Sequence, residues 1–203
     1  MAQSAPFTLS IVKMTFGDVP PSYWAWQQIE TLYAKGLTGG CFSDPLYYCP
    51  IAQVSRAEMA AFLVRATRGT SYVPPAAIGV FSDVTPAFWA APYIEQIYVD
   101  NITSGCGTVP LRYCPDSPLT RAEMAVFLLK AKHGAAYLPP PATGTVFGDV
   151  PSSHWAAPWI EQLYAEGITG GCTMSPLGYC PGDNVTRAQM AAFLVRTFNL
   201  TDP

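Results

Sequence analysis

Three arginines occupy the same place in three copies of one short motif. Each follows a Ser or Thr and precedes Ala-Glu-Met or Ala-Gln-Met, and the three are Arg56, Arg121 and Arg187. A planar guanidinium binds a carboxylate through two parallel charge-assisted hydrogen bonds, so each arginine is a candidate site for an acidic ligand. The other interpretation is a structural ion pair with a carboxylate of the protein. The sequence leaves both interpretations open.

Six cysteines recur in the same threefold order. They fall in three pairs whose members are eight positions apart: Cys41 with Cys49, Cys106 with Cys114, and Cys172 with Cys180. If the repeats share one fold, the pairing must be equivalent in each, and three local disulfides are the simplest solution. Zinc is the rival, but zinc-binding cysteines usually lie two to four residues apart near histidines or further cysteines, and His133 and His154 do not repeat. We therefore predict three disulfides, no metal, and an oxidising location outside the cytoplasm.

Each arginine lies at the start of a predicted helix. The Ser or Thr before it and the Glu or Gln three residues later form a capping box. An apolar stripe at helical spacing follows, and in the first copy it consists of Met59, Phe62, Leu63 and Ala66. The cap does not need the arginine, and the helix dipole disfavours a cation at this end of the helix.

Another predicted helix precedes each cysteine loop. It begins after a Trp-Ala pair and stops at Gly or Asn, the residues that most readily adopt the left-handed conformation that closes a helix. The tryptophans are Trp24, Trp89 and Trp155, and the stop residues are Gly36, Asn101 and Gly167. Each repeat is therefore predicted as helix, loop, helix.

The repeats set the organisation of the chain. We predict an N-terminal tail at 1–15, a first repeat with a proline-rich linker at 16–80, a second repeat with its linker at 81–146, and a third repeat at 147–203. A unit of about 50 structured residues buries little apolar surface alone. The three repeats should therefore share one core.

Composition excludes several classes of function. Apolar residues make up 50% of the chain and charged residues 12%, which is typical of a folded protein. A net charge of −3 argues against a nucleic-acid partner, which would need a basic face. No apolar run reaches the ~20 residues of a membrane-spanning helix. Repeated histidines, nucleophile motifs and phosphate-binding loops are absent from the sequence, so we expect neither an enzyme nor a cofactor.

The order of the motifs resembles the S-layer homology (SLH) module of bacterial cell-envelope proteins. Phe-x-Asp-Val, Trp-Ala, Ile-Glu, Ile/Leu-Thr-x-Gly and Thr-Arg-Ala-Glu-Met-Ala follow one another in three tandem repeats over residues 16–200. The helices predicted from the residues indicate a mainly α fold, with short strands or turns in disulfide-closed loops. The resemblance implies that the three helix-loop-helix repeats form a pseudo-threefold bundle, with one helix per repeat at the centre and three prongs outside.

The resemblance also implies non-covalent binding of a secondary cell-wall polysaccharide, often one that carries pyruvate ketals, in grooves between the prongs. It places candidate polysaccharide-binding residues on four motifs. They are Arg56, Arg121 and Arg187; Asp18, Asp83 and Asp149; Trp24, Trp89 and Trp155; and Gly39, Gly105 and Gly170. Free backbone N–H groups at the helix start should assist each arginine.

Structural interpretations stand beside these assignments. The aspartates are also suited to bracing a turn, and the tryptophans to filling a core. The third repeat departs from the motif because Gln189 replaces its acidic residue, which removes any role that needs a negative charge there. The paired cysteines are not part of the common SLH pattern.

We therefore expect an anchoring module, with no bond made or broken. It would hold a protein on the outside of a bacterial cell, at the surface or wall, by binding a cell-wall polysaccharide or a peptidoglycan-linked glycan. The alternative is a self-assembling extracellular structural protein, a subunit of a surface layer or filament. In that case residues 7–15 are a candidate strand for addition to a neighbouring copy.

Overall fold

A computed structural model gives the fold of residues 14–201. The helices are α1 (Trp26–Ala34), α2 (Arg56–Arg68), α3 (Ala91–Val99), α4 (Arg121–His133), α5 (Ala157–Ala165) and α6 (Arg187–Thr197). The strands are β1 (Phe42–Ser43), β2 (Leu46–Tyr47), β3 (Gly107–Thr108), β4 (Leu111–Arg112), β5 (Thr173–Met174) and β6 (Leu177–Gly178). The candidate strand at 7–15 lies outside the described residues except for its last two positions.

The helices begin and end where local sequence signals predict. All three capping boxes are present, with Ser55, Thr120 or Thr186 accepting from the N3 backbone N–H. The first helix of each repeat ends before a residue with positive φ, and these residues are Gly36 (70°), Asn101 (55°) and Gly167 (70°). Both predictions are confirmed.

The second helices α2, α4 and α6 form the centre of the molecule. Helix α4 contacts both α2 and α6, and each outer helix packs on the central helix of another repeat: α3 on α2, α5 on α4, and α1 on α6. One apolar core runs through all three repeats. The contact between the first and last helices closes the ring, and the predicted mainly α, pseudo-threefold bundle is confirmed.

Three backbone hydrogen bonds join the repeats at the loops that precede the central helices. The N–H of Val54 donates to the carbonyl of Val185, that of Val185 to Leu119, and that of Leu119 back to Val54, each at 2.9 Å. Every repeat thus donates to one neighbour and accepts from the other. The closed triangle fixes the register of the three repeats.

A disulfide closes the loop between the two helices of each repeat. The pairs are Cys41–Cys49, Cys106–Cys114 and Cys172–Cys180, with Cα atoms 6.0 Å apart in each. Each loop carries one two-stranded antiparallel hairpin, whose turn contains a cis proline at Pro45, Pro110 or Pro176. The predicted pairing is confirmed.

The glutamate of each Ile-Glu motif holds the segment that leads into its own repeat. Glu95 accepts hydrogen bonds from the backbone N–H groups of residues 78–80. Glu161 accepts from Thr143 and Gly144, and Glu30 accepts from Thr15.

Within residues 14–201, no helix has both the length and the apolar character needed to cross a bilayer.

Candidate functional site

Three grooves lie at equivalent places around the ring. We name them by the residue at the third position of the central helix: the Glu58 groove, the Glu123 groove and the Gln189 groove. Their volumes are about 160, 190 and 240 Å³ respectively. Each is lined by the Thr-x-Gly loop and the central helix of one repeat.

The other two repeats complete each groove. A tryptophan comes from the repeat that follows in cyclic order: Trp89 in the Glu58 groove, Trp155 in the Glu123 groove and Trp24 in the Gln189 groove. The motif arginine comes from the repeat that precedes: Arg56 lines the Glu123 groove and Arg121 the Gln189 groove, and Arg187 adjoins the Glu58 groove through its ion pair with Glu58. A groove therefore forms only when all three repeats are folded together.

The tryptophans are exposed rather than buried in the core. Trp24, Trp89 and Trp155 have exposed fractions of 59%, 54% and 62%. Each is tilted or stacked against the ring of the preceding residue, with centroids about 6 Å apart. The tryptophans therefore do not fill the core, which was one interpretation of the sequence. They present aromatic surface to solvent, as a role in sugar binding requires.

The arginines, in contrast, are almost fully buried. Arg56, Arg121 and Arg187 have exposed fractions of 4%, 3% and 5%. Each Nε donates to the carbonyl oxygen of a tyrosine in the next repeat, at 2.7–2.9 Å. The same tyrosine returns a hydrogen bond from its hydroxyl to the arginine carbonyl. The guanidinium also lies 4.6–5.0 Å from the centre of that tyrosine ring. These contacts join neighbouring repeats.

Two of the three arginines also form an ion pair across a repeat boundary. Arg56 Nη1 lies 2.8 Å from Glu123 Oε1, and Arg187 Nη1 lies 2.6 Å from Glu58 Oε1. Arg121 forms no ion pair with any described residue, and its Nη2 is buried without a hydrogen-bond partner. Burial lowers the pKa of Arg121, although a guanidinium remains charged at neutral pH.

This difference between the arginines follows from the number of side-chain oxygens on the residue at the third position of the central helix, which is Glu in two repeats and Gln in the third. In Glu123, Oε2 accepts from the N–H of Thr120 in the capping box and Oε1 accepts from Arg56. The amide of Gln189 has one oxygen, which accepts from the N–H of Thr186. Its remaining polar atom is a donor. One amide therefore preserves the cap but cannot also bind an arginine.

The expectation of free N–H groups at the start of the central helix is wrong. Arg56 N donates to Ser117 O and Ala57 N to Pro115 O, both in the next repeat. Glu58 N donates to Ser55 Oγ within the cap. Equivalent bonds form at the other two helices. These backbone N–H groups already donate within the protein, so hydrogen bonds to an anion in the groove must come from side chains.

The three motif aspartates brace the cysteine loop. The two carboxylate oxygens of Asp18, Asp83 and Asp149 accept from two successive backbone N–H groups, those of the buried tyrosine and the following cysteine, at 2.6–2.8 Å. That cysteine has positive φ in each repeat. Among the described residues that line the three grooves, none is one of these aspartates. Their assignment to sugar binding stays a prediction.

The candidate glycines do not occupy equivalent positions. Gly105 corresponds to Gly40 and Gly171, which share a φ of 86–90°. A Cβ at any of these three would meet the carbonyl oxygen of a hairpin residue. Gly39 and Gly170 correspond to Ser104 and have no atom within 4 Å of an added Cβ. These two face open space at the groove, and their role in binding stays a prediction.

Sequence reasoning missed a second cation in each groove. Arg65, Lys130 and Arg196 line the Glu58, Glu123 and Gln189 grooves. Arg65 and Arg196 each donate to the carbonyl of the residue that opens the Thr-x-Gly loop. The signal was a basic residue at the same place in all three repeats, ten positions after the cap residue.

Comparison with known proteins identifies relatives that share this segment. The S-layer homology domain family matches residues 15–40. An endoglucanase of Bacillus sp. (strain KSM-635) is 31% identical over 58% of this chain and 12% of its own length. An S-layer protein of Bacillus thuringiensis subsp. finitimus is 26% identical over 90% of this chain and 21% of its own length. An amylopullulanase of Thermoanaerobacterium thermosulfurigenes is 30% identical over 89% of this chain and 9% of its own length. The chain thus spans only 9% to 21% of these relatives, and the resemblance read from its motifs is confirmed.

Proposed function

We propose that this chain, which carries an S-layer homology domain, holds a protein at the bacterial cell surface by binding an anionic cell-wall polysaccharide in its three grooves. One observation carries the proposal. Each groove combines a half-exposed tryptophan, a Thr-x-Gly loop and a cation, and the combination occurs three times. The mechanism is recognition, with no bond made or broken.

The chemistry of the grooves suits a sugar that carries an acid. An exposed indole presents an apolar face, against which the apolar face of a sugar ring can pack. Lys and Arg side chains at the groove wall attract a carboxylate such as that of a pyruvate ketal. The open backbone at Gly39 and Gly170 leaves room for close approach. These features favour an acidic polysaccharide over a neutral one.

Three grooves on one rigid body favour a polymeric ligand. Once one groove holds the polysaccharide, the other two meet neighbouring sugars at a high effective concentration. Weak individual grooves would then give firm attachment to a polymer. An S-layer protein and two enzymes share this segment. Its occurrence in such different proteins supports a module whose role is to attach them to one kind of surface.

The groove tryptophans offer the sharpest test. We expect Trp24→Ala, Trp89→Ala and Trp155→Ala in combination to abolish cosedimentation with purified cell-wall sacculi, because tryptophans are enriched among interface hot spots, whose truncation costs about 2 kcal/mol or more each. The fold should remain, because more than half of each side chain is already exposed. Sacculi treated with mild acid to remove pyruvyl groups should bind the unmodified protein more weakly.

A matched control replaces three exposed apolar residues outside the grooves. Ile51→Ala, Ile78→Ala and Leu138→Ala in combination remove residues that are 80% to 83% exposed, and this variant should still sediment with sacculi. Replacing the motif arginines is a poorer test, because their burial means that loss of binding would also reflect loss of folding. Retained binding by the tryptophan variant would contradict the proposal.

A further inference from the structure

We propose that the carboxylate of the polysaccharide is bound in one groove only, the Gln189 groove, and that Gln189 is the residue that determines this. The inference rests on the function proposed above and names the groove and the chemical group. The other two grooves then contact uncharged parts of the sugar chain. Three features of the described residues lead to this assignment.

The first feature is the balance of charge. The Glu58 and Glu123 grooves each combine two cations with one carboxylate, whereas the Gln189 groove has two cations and no carboxylate. The three sets are Arg187, Arg65 and Glu58; Arg56, Lys130 and Glu123; and Arg121, Arg196 and Gln189. Two grooves therefore neutralise their motif arginine internally, and one does not.

The second feature is a buried guanidinium that lacks an acceptor. Arg121 is 3% exposed, and its Nη2 has no hydrogen-bond partner. Asp149 and Asp183 influence Arg121 from a distance, but neither forms an ion pair with it, and both oxygens of Asp149 already accept backbone N–H groups. In Arg56 and Arg187, Nη1 pairs with a glutamate, whereas the Arg121 guanidinium lines its groove without such a carboxylate. A buried charged donor without a partner is costly, so an anionic ligand is favoured beside this guanidinium.

The third feature is the space in front of Arg121. The Gln189 groove is the largest of the three, at about 240 Å³. Trp24 and the open backbone at Gly170 line the same groove. A sugar packed on this tryptophan places its acidic substituent near both Arg121 and Arg196. In the other grooves, a glutamate oxygen already fills the equivalent place beside the arginine.

The test follows the side-chain Nε–H resonances of Arg56, Arg121 and Arg187 by NMR. The probe is a methyl hexopyranoside that carries a pyruvate ketal, compared with the methyl ester of the same compound. We expect the free acid to shift the Arg121 resonance and to leave the other two in place. The ester should bind roughly tenfold or more weakly, because it lacks the charge-assisted bond.

Two substitutions exchange the residues that distinguish the grooves. Gln189→Glu should remove the response of Arg121, and Glu123→Gln should create a new response at Arg56. Both variants should fold, because Glu and Gln occupy this capping-box position in equivalent repeats. If unmodified protein shows equal shifts at all three arginines, or none at Arg121, the assignment is overturned.

The outcome is distinguishable from failure of the proposed function. Equal shifts at three arginines, with sacculi still bound, would overturn the single-groove assignment and leave the anchoring function standing. Failure of the protein to bind sacculi would overturn the anchoring function, and the assignment with it.

Discussion

At the scale of single residues, the same arginine has two different environments in one molecule. Arg56 and Arg187 each pair with a glutamate of another repeat, while Arg121 faces a glutamine whose oxygen serves the helix cap. The structural ion pair that the sequence left open is therefore formed by Arg56 and Arg187. Binding of an acidic ligand at Arg121 stays a proposal.

The aspartates show how an acid that recurs in all three repeats can bind the backbone rather than a ligand. Burial alone would raise the pKa of Asp83, but hydrogen bonds from the N–H groups of Tyr113 and Cys114 and the nearby Arg112 guanidinium outweigh it and hold that pKa below its usual range. A depressed carboxyl pKa stabilises the folded state above the unfolded pKa of about 3.9. That stabilisation is lost as the pH falls through the folded value.

This shift predicts the behaviour of Asp83→Asn. The variant keeps one acceptor oxygen and loses the other, so we expect it to be less stable than the unmodified protein at pH 7. The difference should narrow at pH 3, where the unmodified protein begins to lose the contribution of its carboxylate. Urea denaturation at both pH values measures this difference in the free energy of unfolding. Asp116→Asn, at an exposed aspartate, is the control and should change stability little at either pH.

At the scale of elements, each disulfide-closed hairpin is positioned by a tight turn before it. The N–H of Gly171 donates to Thr169 Oγ1 at 3.1 Å, and its φ of 90° is a conformation that L side chains rarely adopt. The hairpin backbone passes directly beside it. This close approach holds the Thr-x-Gly loop against the hairpin and thereby shapes one wall of the groove.

Two adjacent glycines give a matched prediction for this turn. Gly171→Ala should destabilise the protein by more than about 1 kcal/mol, because the backbone is in the left-handed region and the new Cβ would lie 2.6 Å from the Gly178 carbonyl oxygen. Gly170→Ala should have little effect on stability, since its Cβ meets nothing within 4 Å. Thermal unfolding of both variants compares them. Equal destabilisation would contradict this explanation of the turn.

At the scale of the whole molecule, the ring is closed by contacts between its first and last repeats. Helix α1 packs on α6, Val54 N donates to Val185 O, and the Tyr48 hydroxyl donates to Arg187 O at 3.0 Å. Within residues 14–201, the outer helix of each repeat packs mainly on the central helix of another repeat and not on that of its own. The folding unit is therefore the set of three repeats.

Because contacts between the first and last repeats close the ring, we predict that a fragment of two repeats does not fold alone. A fragment of residues 1–146 lacks α6 and two sides of the backbone triangle, so we expect it to show little helix by circular dichroism. The chain of 203 residues should unfold in a single cooperative transition. A two-repeat fragment with native helix content and a sharp melting transition would contradict the shared core.

Much of the local structure was predictable because its causes lie within a few residues. Ser55 and Glu58 satisfy each other's hydrogen bonds in one helical turn, and Asn101 closes a helix by its own conformation. The cysteine pairing was equally local. The sequence by itself therefore determined the helices, their ends, the disulfides and the threefold order.

Only the tertiary structure decided what the repeated residues do. Glu123 lies 67 positions from Arg56, and Glu58 lies 129 positions from Arg187, so no local pattern reveals these pairs. Each groove takes its tryptophan, its arginine and its loop from three different repeats. The physical reason is that ring closure brings these groups together, and it also consumes the helix N–H groups that the sequence left free. The threefold motif therefore determined three equivalent positions, and packing across the ring made one of them different in charge.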